Sequence, residues 1–152
     1  MTGAPDQAEG GCRCGGVRFR VSGMPVFTAA CHCRGCQRMS GSAYSVSAAY
    51  PAAQFEVIVG DPVLGGMKGA TRHFFCPDCM SWMFTRPDGM DNFVNVRSTL
   101  LDGPPREAPF LETFTSEQLP WAQTGAVHSF ETFPDPARFG PLVTEFAARR
   151  QG

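Results

Sequence analysis

Lysine is almost missing from this sequence, with Lys68 the only one among 152 residues. The 13 basic and 14 acidic residues give a net charge of −1 and form no block of one sign. That balance removes the electrostatic basis for binding nucleic acid or an anionic membrane. No apolar run approaches about 18 residues, so no membrane-spanning helix is expected. The segment Met1 to Gly10 has neither a basic n-region nor an apolar h-region. It therefore reads as no signal peptide, and residues 1–9 as a flexible leader ahead of a single domain over 10–152. A cytoplasmic, reducing setting is the resulting expectation.

Long helices are also unexpected, because 17 glycines and 13 prolines cut the chain into short segments. Between these breaks lie β-rich runs. Val17-Arg-Phe-Arg-Val21 alternates apolar and basic residues, which puts Val17, Phe19 and Val21 on one face of a strand. Further strands are predicted at 26–32, 43–49, 55–59, 71–75, 82–85, 93–96, 110–115 and 127–133. The expected fold is mainly β. One short C-terminal helix is predicted over 141–150, with Leu142 and Phe146 on its apolar face, Pro141 near its start and arginines near its end. The stretch 101–106 reads as a turn.

What the chain does have is cysteine, seven of them, in tight groups: Cys12-x-Cys14, Cys31-x-Cys33-x-x-Cys36 and Cys76-x-x-Cys79. An odd count in a reducing compartment argues against a disulfide framework. Close spacing instead brings several sulfurs to one point, as a metal requires. Cys12 and Cys14 fall on the same side of an extended segment, and Gly15 and Gly16 let the backbone turn sharply after them. Cys76-Pro-Asp-Cys79 is a knuckle with proline setting its turn. Together Cys12, Cys14, Cys76 and Cys79 make a saturated four-thiolate site suited to zinc or iron. A redox pair or buried free thiols are the other readings. No βαβ context surrounds Cys76 to favour the redox pair.

The trio Cys31, Cys33 and Cys36 differs. Cys31 and Cys33 share a strand face, and the Arg34-Gly35 turn brings Cys36 back to them. Three thiolates leave the fourth position of a tetrahedral zinc open, which is the arrangement of a catalytic site. A second structural zinc closed by His32 or another local group and a reduced, metal-free trio are the alternatives.

The order CxC, CxCxxC, CxxC at these intervals resembles the glutathione-dependent formaldehyde-activating family, which includes centromere protein V. The resemblance extends over Gly11–Gly15, Cys31–Gly41, Phe75–Cys79, the Leu100–Pro104 turn and Pro120-Trp121, covering roughly residues 10 to 133. It implies zinc-stabilised, β-tent-like sheets with one structural and one active-site zinc. By motif, Cys12, Cys14, Cys76 and Cys79 are the structural ligands, and Cys31, Cys33 and Cys36 the active-site ligands. The implied activity is that of a carbon–sulfur lyase condensing glutathione, or a similar small thiol, with formaldehyde or another small aldehyde to S-(hydroxymethyl)glutathione or its analogue. Met80 departs from the glycine usual after the second knuckle, a position where side chains resist positive φ. Ser81-Trp-Met83 is also unlike the usual small, proline-containing sequence.

Arg34 and Arg38 flank the trio and are candidates for binding a glutathione carboxylate. His32, His73 and Ser40 are candidate proton donors to the new alkoxide. Trp82 and Trp121 read as core or pocket-wall residues. The competing function is a non-catalytic, zinc-stabilised binding module, although the chain lacks the basic extension that would give a nucleic-acid role its affinity.

Overall fold

A computed structural model describes residues 6–67, 69–103 and 108–151. Its strands are β1 (Gln7–Gly11), β2 (Arg18–Ser22), β3 (Phe27–Cys31), β4 (Ser45–Pro51), β5 (Phe55–Val59), β6 (Val63–Gly65), β7 (Thr71–Phe75), β8 (Trp82–Pro87), β9 (Phe93–Val96), β10 (Leu111–Thr113) and β11 (His128–Ser129). Two α-helices join them, α1 (Arg34–Ser40) and α2 (Phe139–Gln151). The fold is thus β-rich with a C-terminal helix. Among the described residues, no helix is long and apolar enough to cross a membrane.

The chain divides into two compact units. Unit 1 comprises residues 1–25 and 49–105, and unit 2 comprises 26–48 and 106–152. Within unit 1, β1, β2 and β5 form an antiparallel sheet in that order, and a second run of neighbours is β9-β8-β7-β6. Phe19 and Val21 on alternate positions of β2 are almost completely buried, as the alternation requires. Arg18 and Arg20, on the opposite face, pair with Asp102, Glu9 and Glu56. The Phe55 and Phe84 rings meet at a tilt with centroids 4.7 Å apart, and Val94, Val96 and Met83 complete the interior of this unit.

Gln7, Ala8 and Glu9 fall within the stretch read as a leader, yet they pair in β1 with Ser22, Val21 and Arg20. The cause lies across the ladder. Gly10 approaches Leu100 so closely that a Cβ would sit 2.4 Å from its carbonyl oxygen, and Glu9 carries the ion pair to Arg20. Residues 1–5 lie outside the described residues, as do 104–106 of the predicted turn.

In unit 2 the order is β11-β10-β3-β4, with β10 parallel to both β3 and β11. Leu142 and Phe146 of α2 pack on Phe110 and Leu111, forming the core of this unit. The Phe110 and Phe146 rings meet edge to face at 5.3 Å. The expected C-terminal helix is therefore present, one turn-fraction longer at its start than 141–150. The Arg34-Gly35 turn is not: the segment is the first turn of α1. Cys33 caps that helix by accepting the Cys36 amide, and Gly41 ends it at φ 66°.

Candidate metal centres

Each unit holds one cysteine cluster, and all seven cysteines are free thiols. In unit 1 the sulfurs of Cys12, Cys14, Cys76 and Cys79 all lie within 4.8 Å of one another. Cys12 and Cys14 are separated by 3.6 Å and Cys14 and Cys76 by 3.7 Å, sulfur to sulfur. A zinc ion with sulfurs at about 2.3 Å in a tetrahedron has sulfur–sulfur edges of about 3.8 Å. The donor set and its spacing fit such an ion.

Local backbone explains the gathering. Gly15 takes φ +79° directly after Cys14, and a Cβ on Gly16 would stand 3.3 Å from the Cys14 sulfur. Amide donors then point at the sulfurs: Val17 to Cys12 at 3.3 Å, Gly16 to Cys14 at 3.4 Å, and Asp78 and Cys79 to Cys76 at 3.4 and 3.5 Å. Such bonds spread the charge of thiolates. The Ser81 hydroxyl and amide hold the Cys79 thiol down to about 5. The Gly16 amide works the same way on Cys14, but the sulfurs of Cys12, Cys76 and Cys79 outweigh it and raise that thiol to about 12. Met80 follows the knuckle at φ 60° and donates its amide to the Cys76 carbonyl at 3.0 Å. The turn thus imposes the left-handed conformation even without glycine.

In unit 2 the sulfurs of Cys31, Cys33 and Cys36 also lie within 4.8 Å of one another. No histidine, carboxylate or further cysteine joins this group among the described residues. Cys31 ends β3, Cys33 caps α1, and Cys36 follows in the first helical turn. All three are half-buried. The Cys36 thiol and the Thr113 hydroxyl are among the groups that bond to Cys31 and bring it down to about 5. The Cys31 contact and burial push Cys36 the other way.

His32, between two of these cysteines, is fully buried and does not join them. Its Nε2 is 2.7 Å from Glu112 Oε1. Ser40 donates its hydroxyl to the Cys36 carbonyl at 2.7 Å, a bond internal to α1. His73 belongs to unit 1, where its Nδ1 meets the Thr85 hydroxyl at 2.9 Å. Arg34 and Arg38 are exposed, and one helical turn apart they share a face of α1. Neither has an ion-pair partner among the described residues. Trp82 is core, lying under Arg97 at 4.1 Å and donating its indole N–H to Thr85. Trp121, also read as core or pocket wall, is instead 73% exposed. The neighbouring Ala122 takes the buried place.

Two carboxylates escaped the sequence reading. Glu112 of β10 is buried and bonds to His32, Thr124 and Ser129. Glu117 accepts the Arg34 amide at 2.8 Å through its side chain, and the Gln37 side-chain amide at 3.0 Å through its carbonyl. Neither belongs to an alternating pattern or a recognisable motif, so no sequence signal marked them.

No curated protein matches this chain. A solved structure of a Rhodobacter sphaeroides protein is similar at a TM-score of 0.54 and 21% identity, covering 64% of this chain and 90% of that one. It supports the fold alone. The sequence model described as "Glutathione-dependent formaldehyde-activating enzyme" matches residues 7–117, beginning within β1 and stopping short of the 133 reached by the motif resemblance. Since that span takes in all seven cysteines and most of the chain, the protein belongs to the glutathione-dependent formaldehyde-activating enzyme family and is an enzyme of carbon–sulfur bond formation.

Proposed function

We propose that the protein forms S-(hydroxymethyl)glutathione, with Cys31, Cys33 and Cys36 holding an active-site zinc and Cys12, Cys14, Cys76 and Cys79 a structural one. The observation that carries this reading is the difference in ligand number. One cluster offers four sulfurs, and the other offers three with no fourth protein donor among the described residues. A metal held by Cys31, Cys33 and Cys36 would supply deprotonation of the substrate thiol, giving a nucleophilic sulfur at neutral pH.

The chain's own residues do the rest. Arg34 and Arg38, one helical turn apart on α1 and without an ion-pair partner among the described residues, would hold the carboxylates of glutathione. The glutathione sulfur forms its bond to the formaldehyde carbon as the C=O π pair moves to oxygen, and that oxygen takes up one proton. His32 is sealed from solvent and committed to Glu112, while the Ser40 hydroxyl is committed to Cys36. His73 is likewise engaged, through Thr85, so in this reading the proton comes from solvent, which reaches the half-buried trio. A cytoplasmic setting suits both the free thiols and a supply of glutathione.

The test is cobalt substitution. Glutathione should change the ligand-field spectrum of doubly loaded protein, because a fourth sulfur enters only the three-thiolate site. Cys36→Ser should diminish that response. Formaldehyde should then consume glutathione faster than the uncatalysed addition. A spectrum unchanged at millimolar glutathione would overturn the proposal.

A further inference from the structure

His32 separates two of the trio's cysteines, and every polar handle it has except one is fixed. Its amide donates to the Thr113 carbonyl at 3.0 Å. Its carbonyl accepts the Gln37 side-chain amide at 2.7 Å. Its Nε2 meets Glu112, and Nδ1 has no partner among the described residues. A carboxylate can only accept, so Glu112 sets the imidazole proton on Nε2 and fixes the ring plane.

Glu112 is itself held from two other places. Thr124 donates to Oε1 at 2.9 Å, and Ser129 donates to Oε2. Burial alone would raise the carboxyl, but the bonds from Ser129, His32 and Thr124 outweigh it and keep it below the usual carboxylate value. Burying a charge is costly unless such bonds compensate, and this one sits in a three-residue strand beside the trio. The adjacent residue of β10, Thr113, pairs in register with Cys31 and bonds its sulfur. β10 thus grips Cys31 and His32 with consecutive side chains.

We infer that Glu112 is a positioning residue for the three-thiolate site, acting through His32 to hold Cys31 and Cys33 in the geometry that presents their sulfurs to a metal. This rests on the reading of the trio as a metal site. Thr124 and Ser129 both lie beyond residues 7–117 of the family match, so the segment following that match supplies the bonds that steady the centre. An outer partner of this kind typically changes metal affinity 10- to 100-fold.

The experiment is a two-site cobalt titration against a competing chelator, in which the four-thiolate cluster serves as internal control. Glu112→Gln keeps the shape of the side chain but replaces one acceptor oxygen with a donor. It should weaken the second cobalt by about tenfold and shift its sulfur-to-cobalt bands, with the first cobalt unchanged. Ser129→Ala and Thr124→Val, which each withdraw one donor from Glu112, should give the same change in smaller measure and stand in if Glu112→Gln does not fold. Parent affinity and spectrum at the second site in the folded variants would overturn the inference, even if their melting temperatures fall. A parent protein that takes up only one cobalt would overturn the active-site reading itself, and this inference with it.

Discussion

The two cysteine clusters are built in opposite ways. In unit 1, Cys14 and Cys76 are 62 residues apart in sequence, so their meeting closes a long loop. In unit 2, the three cysteines lie within six consecutive residues, and a strand end and a helix cap draw them together. A cluster that draws remote segments together makes metal binding part of folding. A cluster already assembled by its own backbone leaves the metal free to serve chemistry.

Breaking the first cluster should have the largest effect. Cys76→Ser removes a fully buried ligand from a site of the kind in which zinc contributes on the order of 10 kcal/mol. Loss of the cooperative thermal transition, or aggregation, is the expected result. Cys33→Ser should instead leave a folded protein, because the serine hydroxyl can take over the cap that the Cys33 sulfur gives α1, whereas Cys33→Ala should cost about 1 kcal/mol more. Comparing the three melting curves tests the division, and equal large losses in Cys76→Ser and Cys33→Ser would remove it.

Metal removal sharpens the same contrast. Gently purified protein should carry two zinc ions, and mild chelation should leave about one. Metal analysis during a chelator time course reads this directly. Two equally resistant ions would mean that the trio is closed by a fourth ligand.

A smaller effect is expected at Met80, whose φ of 60° is a conformation glycine takes more readily. Met80→Gly should stabilise unit 1 by about 1 kcal/mol, offset in part by the freer unfolded chain, and raise Tm by about 3 °C. An unchanged or lower Tm would show that the 55% exposed side chain makes a stabilising contact outweighing the strain.

The smallest effect concerns His73. Burial, assisted by the nearby positive Arg97, lowers its pKa from 6.5, and its ring faces Thr85 and the edge of Trp82. The unfolded chain therefore binds more protons than the folded one just below pH 6.5, so stability falls as pH falls through that window. His73→Gln should flatten the decline of Tm between pH 7.5 and 5.5, and an unaltered slope would assign the decline to other groups.

Strands with clear alternation or β-branched runs were legible in the sequence, and β5, β7 and β9 begin and end where expected. What stayed hidden was held by tertiary bonds. The α1 segment lacks apolar periodicity and contains Gly35, yet Cys33, Gly41 and Gln37 secure it at three points. β1 is rich in glycine and polar residues, and its partner β2 gives it form. β6 is only three residues long and pairs along β7. Of the site, the cysteine spacing was readable because a metal needs convergent sulfurs. Glu112 was not readable, because a glutamate in a strand looks like a solvent-facing residue until the groups that bury it are seen.

Unit 2 is assembled from residues 26–48 and 106–152, so a ribosome delivers the trio well before β10 exists. At about 5–20 residues per second, Cys31, Cys33 and Cys36 precede Glu112 and Thr113 by roughly 4–15 s. The four-thiolate cluster is complete sooner, once Cys79 has emerged. A nascent chain with residues up to about 100 outside the ribosome would hold all four sulfurs of one centre and an ungripped trio at the other. Synthesis thus makes the trio's sulfurs first, the four-thiolate set second, and the β10 side chains that hold the trio last.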